Sequence, residues 1–265
     1  MTANTCQSGA RPGVGSWSTH RPSLKEKRAR PPRQASGGGT VIKNASFWAS
    51  EGQGDILVNV ASHFRDANLF TRLLVAGRPL ICPLEPMLAW IPPDASVLDV
   101  GCGVGLLAIN LATTARPRRI HGFDMNPYAV SVAEAATKRL ASAGDASITF
   151  SVVRDFSEWP TEIFDVVCMV DVAHHVPRAL WRALYQAAAA RVRDDGLLLY
   201  KDMAPRPWWC GLGNRLHDLV VAQQWIEYCP RPFVYDVLAK AGMTPVHHEK
   251  WRRFWYAHEF TVFKK

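Results

Sequence analysis

The pattern of apolar and polar positions changes period along this chain, and the changes mark its elements. Residues 97–100 are apolar apart from Asp99, the run expected of a central parallel strand covered on both faces. Gly101, Gly103 and Gly105 then remove every second side chain, and apolar residues resume over 106–112 as a helix. Strands are predicted next at 120–123, ending in Asp124, and at 147–153, 164–170 and 197–200. Helices fall between them: one starts at Asn126 and Pro127, and one carries Leu184, Ala187 and Ala188 on one face with Leu180, followed by Gly196. Strand and helix alternate, which predicts an α/β fold around a largely parallel sheet.

Upstream, Ile56, Val60, Phe64, Leu69, Phe70, Leu73 and Leu74 recur at helical spacing. Pro79, Pro83 and Pro86 are expected to break that helix before a short helical segment at 87–90. Downstream, two prolines with Trp208 and Trp209 predict a rigid loop over 205–211, then helices at 214–228 and 233–241 and two strands near 244–248 and 254–263.

Composition adds limits. At 265 residues and 48% hydrophobic the chain buries a full core. The formal charge of +8 is unevenly placed: residues 1–46 hold eight basic residues against Glu26, which leaves +1 for the rest. That near-neutral remainder has no global field for phosphate backbones, so nucleic acid is not expected outside the tail. The tail itself, with four prolines and three consecutive glycines, is read as disordered and solvated. The six cysteines are scattered, without zinc spacing, and no apolar run reaches membrane-span length. Reduced thiols, a cytoplasmic location and no metal are the expectation.

The chemistry starts at the glycine turn. A backbone this bare lets N–H groups approach a ligand, and the next helix points its positive end at the same place. Leu106 stands where a dinucleotide fingerprint has its third glycine, and Asp99 would repel a pyrophosphate but suits an ammonium or sulfonium. Asp124, at the next strand end, is the residue type that accepts two adjacent ribose hydroxyls, though an acid there also occurs in NAD enzymes.

The stretch Val-Leu-Asp-Val-Gly-Cys-Gly-Val-Gly resembles the first motif of the class I S-adenosylmethionine-dependent methyltransferases, and Gly-Phe-Asp-Met-Asn-Pro resembles their ribose-binding segment. The resemblance implies a Rossmann-like, doubly wound sheet of seven strands, mostly parallel with an antiparallel last strand. It implies S-adenosyl-L-methionine as cofactor, held by Asp99, Gly101, Cys102, Gly103, Gly105, Asp124 and Met125, with Asp155 and Phe156 at the adenine and Asp171 under the methionine part. It also implies a methyltransferase domain over 47–265, made of a helical cap (47–94), a cofactor-binding core (95–203) and an acceptor side (204–265).

Asp171-Val172-Ala173-His174-His175 resembles the Asp-x-x-His-His segment of small-molecule methyltransferases and departs from the Asn/Asp-Pro-Pro-aromatic segment used on nucleobase and protein amides. The expected reaction is methyl transfer to oxygen or carbon of a small apolar or aromatic acceptor. His175 and His174 are candidate bases, with His217 and Asp202 behind them. The carboxyl third, rich in tryptophan, phenylalanine and tyrosine, is a candidate acceptor wall. Three alternatives stand beside this reading: a catalytically silent cofactor-binding partner, an RNA or protein methyltransferase, and an NAD-dependent oxidoreductase.

Overall fold

The computed structural model describes residues 62–114, 119–140, 147–204, 209, 215, 226–253 and 256–265. The expected tail, the upstream helix positions Ile56 and Val60, His217, and most of the expected loop and helix over 205–225 lie outside them.

Helix α1 (Leu69–Ile81) is capped by Asn68, whose side chain accepts from Thr71 N–H at 2.8 Å. It does not break at Pro79 as the sequence suggests. A proline in the final turn forfeits one hydrogen bond, and the turn is anchored on both sides of it. Arg78 and Cys82 both bond the Asp171 carboxylate, and Cys82 N–H closes on Arg78 C=O at 2.7 Å. The apolar spacing also faces outward. Leu69, Phe70 and Leu73 are more than half exposed, while Thr71 and Val75 pack inward on the stripe that carries Arg78. A short helix α2 (Glu85–Leu88) buries Met87 and Leu88, two residues earlier than expected.

Strand β1 (Ser96–Val100) is buried at every position and lies in the interior of the sheet. It pairs in parallel with β2 (Arg119–Asp124) on one side and β4 (Phe164–Val170) on the other. Helices α3 (Leu106–Thr114) and α4 (Pro127–Thr137) make the crossovers from β1 to β2 and on to β3 (Ser147–Val152). Helix α5 (Trp181–Ala190) leads from β4 to β5 (Val192–Met203), and helix α6 (Arg231–Lys240) precedes β6 (Thr244–Arg253) and β7 (Tyr256–Lys264). The order is β3-β2-β1-β4-β5-β7-β6, with β7 antiparallel to both of its neighbours. This is the doubly wound, mostly parallel seven-stranded sheet expected.

One face of the sheet packs Leu184, Tyr185, Val234 and Leu238 of α5 and α6, the other Met87, Leu107 and Leu111 of α2 and α3. Strand β6 is an exposed edge carrying Glu249, Lys250, Arg252 and Arg253, charges that discourage pairing with another sheet. Strand order reverses between β1 and β4, so the crevice at their carboxyl ends is the switch point where open α/β sheets bind ligands. Among the described residues no helix is long and apolar enough to cross a membrane.

Candidate functional site

The glycine turn sits in that crevice. Gly101, Gly103 and Gly105 all have positive φ, at 66°, 52° and 79°, conformations that side chains resist. Two of them also lack room. A Cβ on Gly101 would lie 2.7 Å from Val172 Cγ2, and one on Gly105 would lie 2.8 Å from Ala133 Cβ. A Cβ on Gly103 would meet nothing within 4 Å, so this step of the turn stands open.

Cys102 N–H donates to Phe123 C=O at 2.9 Å and sews the turn to β2. The Asp124 carboxylate then accepts from Gly103 N–H and from Asn126 N–H, each at 2.9 Å. Asn126 in turn caps α4. Turn, ribose candidate and helix start therefore form one hydrogen-bonded unit. Replacing Gly103 with alanine is expected to cost about 1 kcal/mol of stability, from the left-handed backbone alone. It should nonetheless weaken ligand binding sharply, whereas Gly105→Ala should damage the fold itself. Melting temperature measured beside ligand affinity separates the two.

Asp99 is buried, and its Oδ2 has no hydrogen-bond partner among the described residues. Burial, with Asp124 nearby adding to it, pushes its pKa up to about 8. The group is thus largely a neutral acid at pH 7, and a cationic ligand group beside it would draw it into the charged form. Burial likewise raises the Cys102 thiol, with Asp99 and Asp124 adding, so it stays protonated. Met125 is exposed. Asp155 spends its Oδ1 on Ser157 N–H and the Ser157 hydroxyl, which holds a short 3₁₀ turn beyond β3. Phe156 on that turn leans on Trp159, 5.6 Å between centroids.

Asp171, expected under the methionine part of the cofactor, is held by protein partners. It has φ 55°, is buried, and its two oxygens each lie 2.7 Å from Lys201 Nζ. Arg78 Nη2 donates to Oδ2 at 2.9 Å and the Cys82 thiol at 3.2 Å. Burial alone would raise this carboxyl, but Lys201 and Arg78 overcome it and hold Asp171 well below the usual carboxylate range. Its carboxylate thus ties β5 and the cap helix to the end of β4. Lys201, Arg78 and Cys82 were not among the sequence candidates. A lysine directly after the apolar run 197–200 was the available signal, because a lysine continuing a buried strand must be paired.

The two adjacent histidines separate. His174 is buried and bonds Asp202 Oδ1 through Nδ1, while His175 is half-buried with its ring 4.1 Å from that of His174. Asp202 also accepts from Met203 N–H at 2.7 Å and from Tyr200 O–H at 3.3 Å, and Tyr185 O–H donates to Tyr200 at 3.1 Å. This chain of donors keeps Asp202 an acceptor towards His174. Asp171, His174 and Asp202 bring possible metal-ligand atoms within 4.8 Å of one another. Lys201 and Arg78 already supply the positive charge there.

Asp202 and Tyr200 also line a cavity of about 540 Å³. Trp181 and Tyr228 form aromatic walls. Of the other expected aromatics, Phe233 packs on Trp181 and Tyr235 on Phe263, whereas Trp209 is exposed under the Arg252 guanidinium. Trp208, Trp225, Phe254 and Trp255 lie outside the described residues.

Comparison with known proteins gives a consistent setting. Residues 76–248 match the family model described as a methyltransferase domain. The chain is 31% identical over 137 residues to a ubiquinone biosynthesis O-methyltransferase of Neisseria meningitidis, covering 51% of this chain and 53% of that protein. It is 26% identical over 159 residues to a tRNA1(Val) (adenine(37)-N6)-methyltransferase of Yersinia enterocolitica, 53% of this chain and 61% of that one. The chain thus spans little more than half the length of these curated relatives. In fold it is similar to the magnesium protoporphyrin IX methyltransferase of Synechocystis PCC 6803 solved with bound SAH, at 19% identity and a TM-score of 0.58 over 84% of this chain and 95% of that one.

Proposed function

This chain belongs to the methyltransferase-domain family, and from that premise we propose that it transfers a methyl group from S-adenosylmethionine to a hydroxyl or acidic carbon of a small molecule. The observation that carries the reading is the unit of Gly103 and Asp124, an open backbone step whose N–H donates to one oxygen of a carboxylate that accepts from Asn126 N–H with the other. The residues fit the cofactor. Asp124 is placed for the ribose hydroxyls, Gly101, Cys102, Gly103 and Gly105 for close backbone approach, Asp99 for a cationic group, and Met125, Asp155 and Phe156 for the adenine end. Asp171 serves by tying Arg78 and the cap helix to the end of β4. When bound, the cofactor supplies an electrophilic methyl on a sulfonium.

What this chain adds is positioning and proton removal. Asp202 accepts the Nδ1 proton of His174 and so selects the tautomer whose Nε2 is basic. That nitrogen would take the proton from the acceptor's hydroxyl or acidic carbon, and Asp202 would stabilise the imidazolium formed. His175, its ring tilted against that of His174, positions rather than reacts. A small molecule is favoured because the β4 end continues as Asp171-Val172-Ala173-His174, without the rigid proline pair that grips a planar amide. The O-methyltransferase named above supports the same class.

Incubating the protein with labelled S-adenosylmethionine and fractionated small metabolites tests the activity, and label recovered only in RNA or protein would refute the acceptor class. With an acceptor in hand, His174→Gln should lower kcat by about 10²–10⁴-fold, with S-adenosylhomocysteine affinity kept within about twofold. Asp202→Asn should lower kcat as well, because an amide no longer selects the Nδ1–H form. A kcat in His174→Gln equal to wild type removes His174 as base.

A further inference from the structure

Charge and shape at the 540 Å³ cavity narrow the acceptor further, and the inference rests on the methyltransferase reading. We propose that the acceptor is an aromatic carboxylic acid, its ring between Trp181 and Tyr228 and its carboxylate on Arg178 and Arg231.

Both arginines line the cavity, and neither has a carboxylate partner among the described residues. Arg231 Nη1 instead meets His248 Nε2 at 2.9 Å. Burial and the neighbouring Arg231 lower the His248 pKa, which favours the neutral ring, and an imidazole brings no negative charge to offset the guanidinium. Arg178 is exposed at the mouth. A third arginine, Arg215, lies over the Tyr228 ring at 5.1 Å.

The acids at the same cavity are fewer in effect than in number. Glu259 is paired with Lys250, and Asp202 is turned to His174, Met203 and Tyr200. Glu227, exposed at the rim, is the remaining negative group. Positive charge is therefore in excess where the cavity opens. Arg231 also begins helix α6, whose first turn contains no acid and no side-chain cap, so the helix end adds potential of the same sign. Arg178 and Arg231, guanidinium groups without a carboxylate partner among the described residues and beside aromatic walls, match a planar carboxylate with a ring attached. Asp202 and Tyr200, at the β5 end, are polar groups of the same lining that could meet the ring's hydroxyl.

A matched pair of probes tests this. The full-chain protein is first titrated with S-adenosylhomocysteine, then, saturated with it, with 3,4-dihydroxycinnamate and with the methyl ester of the same acid. The acid is expected to bind at least roughly tenfold tighter, the scale of one charge-assisted pair. Arg178→Gln with Arg231→Gln should erase that preference and leave S-adenosylhomocysteine affinity within about twofold. Equal binding of acid and ester, no binding of the acid, or a preference that survives the double substitution overturns the proposal and leaves the methyltransferase reading standing. Failure to bind S-adenosylhomocysteine at all overturns both.

Discussion

Alanine in place of Asp124 is expected to weaken S-adenosylhomocysteine binding by roughly 10²–10⁴-fold. The carboxylate would lose two charge-assisted hydrogen bonds to the ribose, each worth about 1.5–3 kcal/mol. It would also release the Gly103 and Asn126 N–H groups, loosening the turn and the start of α4 together. Asparagine keeps one acceptor oxygen and should fall between the two. A further effect is electrostatic: Asp124 is one of the causes that raise Asp99 to about 8, so Asp124→Ala should lower the Asp99 pKa while burial keeps it above an ordinary carboxyl. Calorimetry with S-adenosylhomocysteine gives the first result and NMR titration of the carboxyl the second. An unchanged affinity would remove Asp124 from the cofactor site.

The second large effect concerns Lys201. It is fully buried, and with Arg78 it offsets the charge of Asp171. Lys201→Met keeps the volume and removes the ammonium, which leaves a buried carboxylate with only a half-exposed arginine. Breaking a buried pair in this way costs about 3–5 kcal/mol, or roughly 10 °C in Tm for a domain of this size. Arg78→Gln should cost much less, because that side chain is 42% exposed and its charge is screened.

The pH dependence has a definite sign. Asp171 is lowered when folded, so its contribution is present above its unfolded pKa near ~3.9 and is lost as pH falls further. Lys201 is raised, its burial outweighed by Asp171, so its contribution is present below its unfolded pKa near ~10.4 and is lost as pH rises through the folded value. The Tm difference between wild type and Lys201→Met should therefore be full at neutral pH and shrink in acid, where the stranded carboxyl takes up a proton. A difference independent of pH would mean that packing, not charge, is lost.

Local pattern was enough for the parts of this molecule whose partners are near in sequence. Strand β1, the three glycines and Asp124 are legible because a run of apolar residues, a bare turn and an acid at the next strand end each carry their own signature. Partners far apart left weaker traces. His174 and His175 are neighbours of the same type, and what separates them is Asp202, twenty-eight positions later on another strand. Asp171 looks like a ligand group in isolation, and only Arg78 and Lys201, arriving from the cap helix and from β5, reveal its tie to both. Helix α1 was recognisable by its period, but its apolar stripe could not show which side docks. A single ion pair at Arg78, with Thr71 and Val75 on the same stripe, decides that.

The strand order has a consequence for how the molecule is made. Strand β7 follows β6 in the chain yet lies between β5 and β6. While the ribosome is still adding residues 256–264, β6 has no neighbour to pair with, and the β5 edge is bare. Every hydrogen bond that β6 makes to the sheet waits for β7, whose buried Phe260, Val262 and Phe263 also complete both cores. A nascent chain paused before Tyr256 exposes two open edges at once, the condition in which unfinished sheets associate with one another.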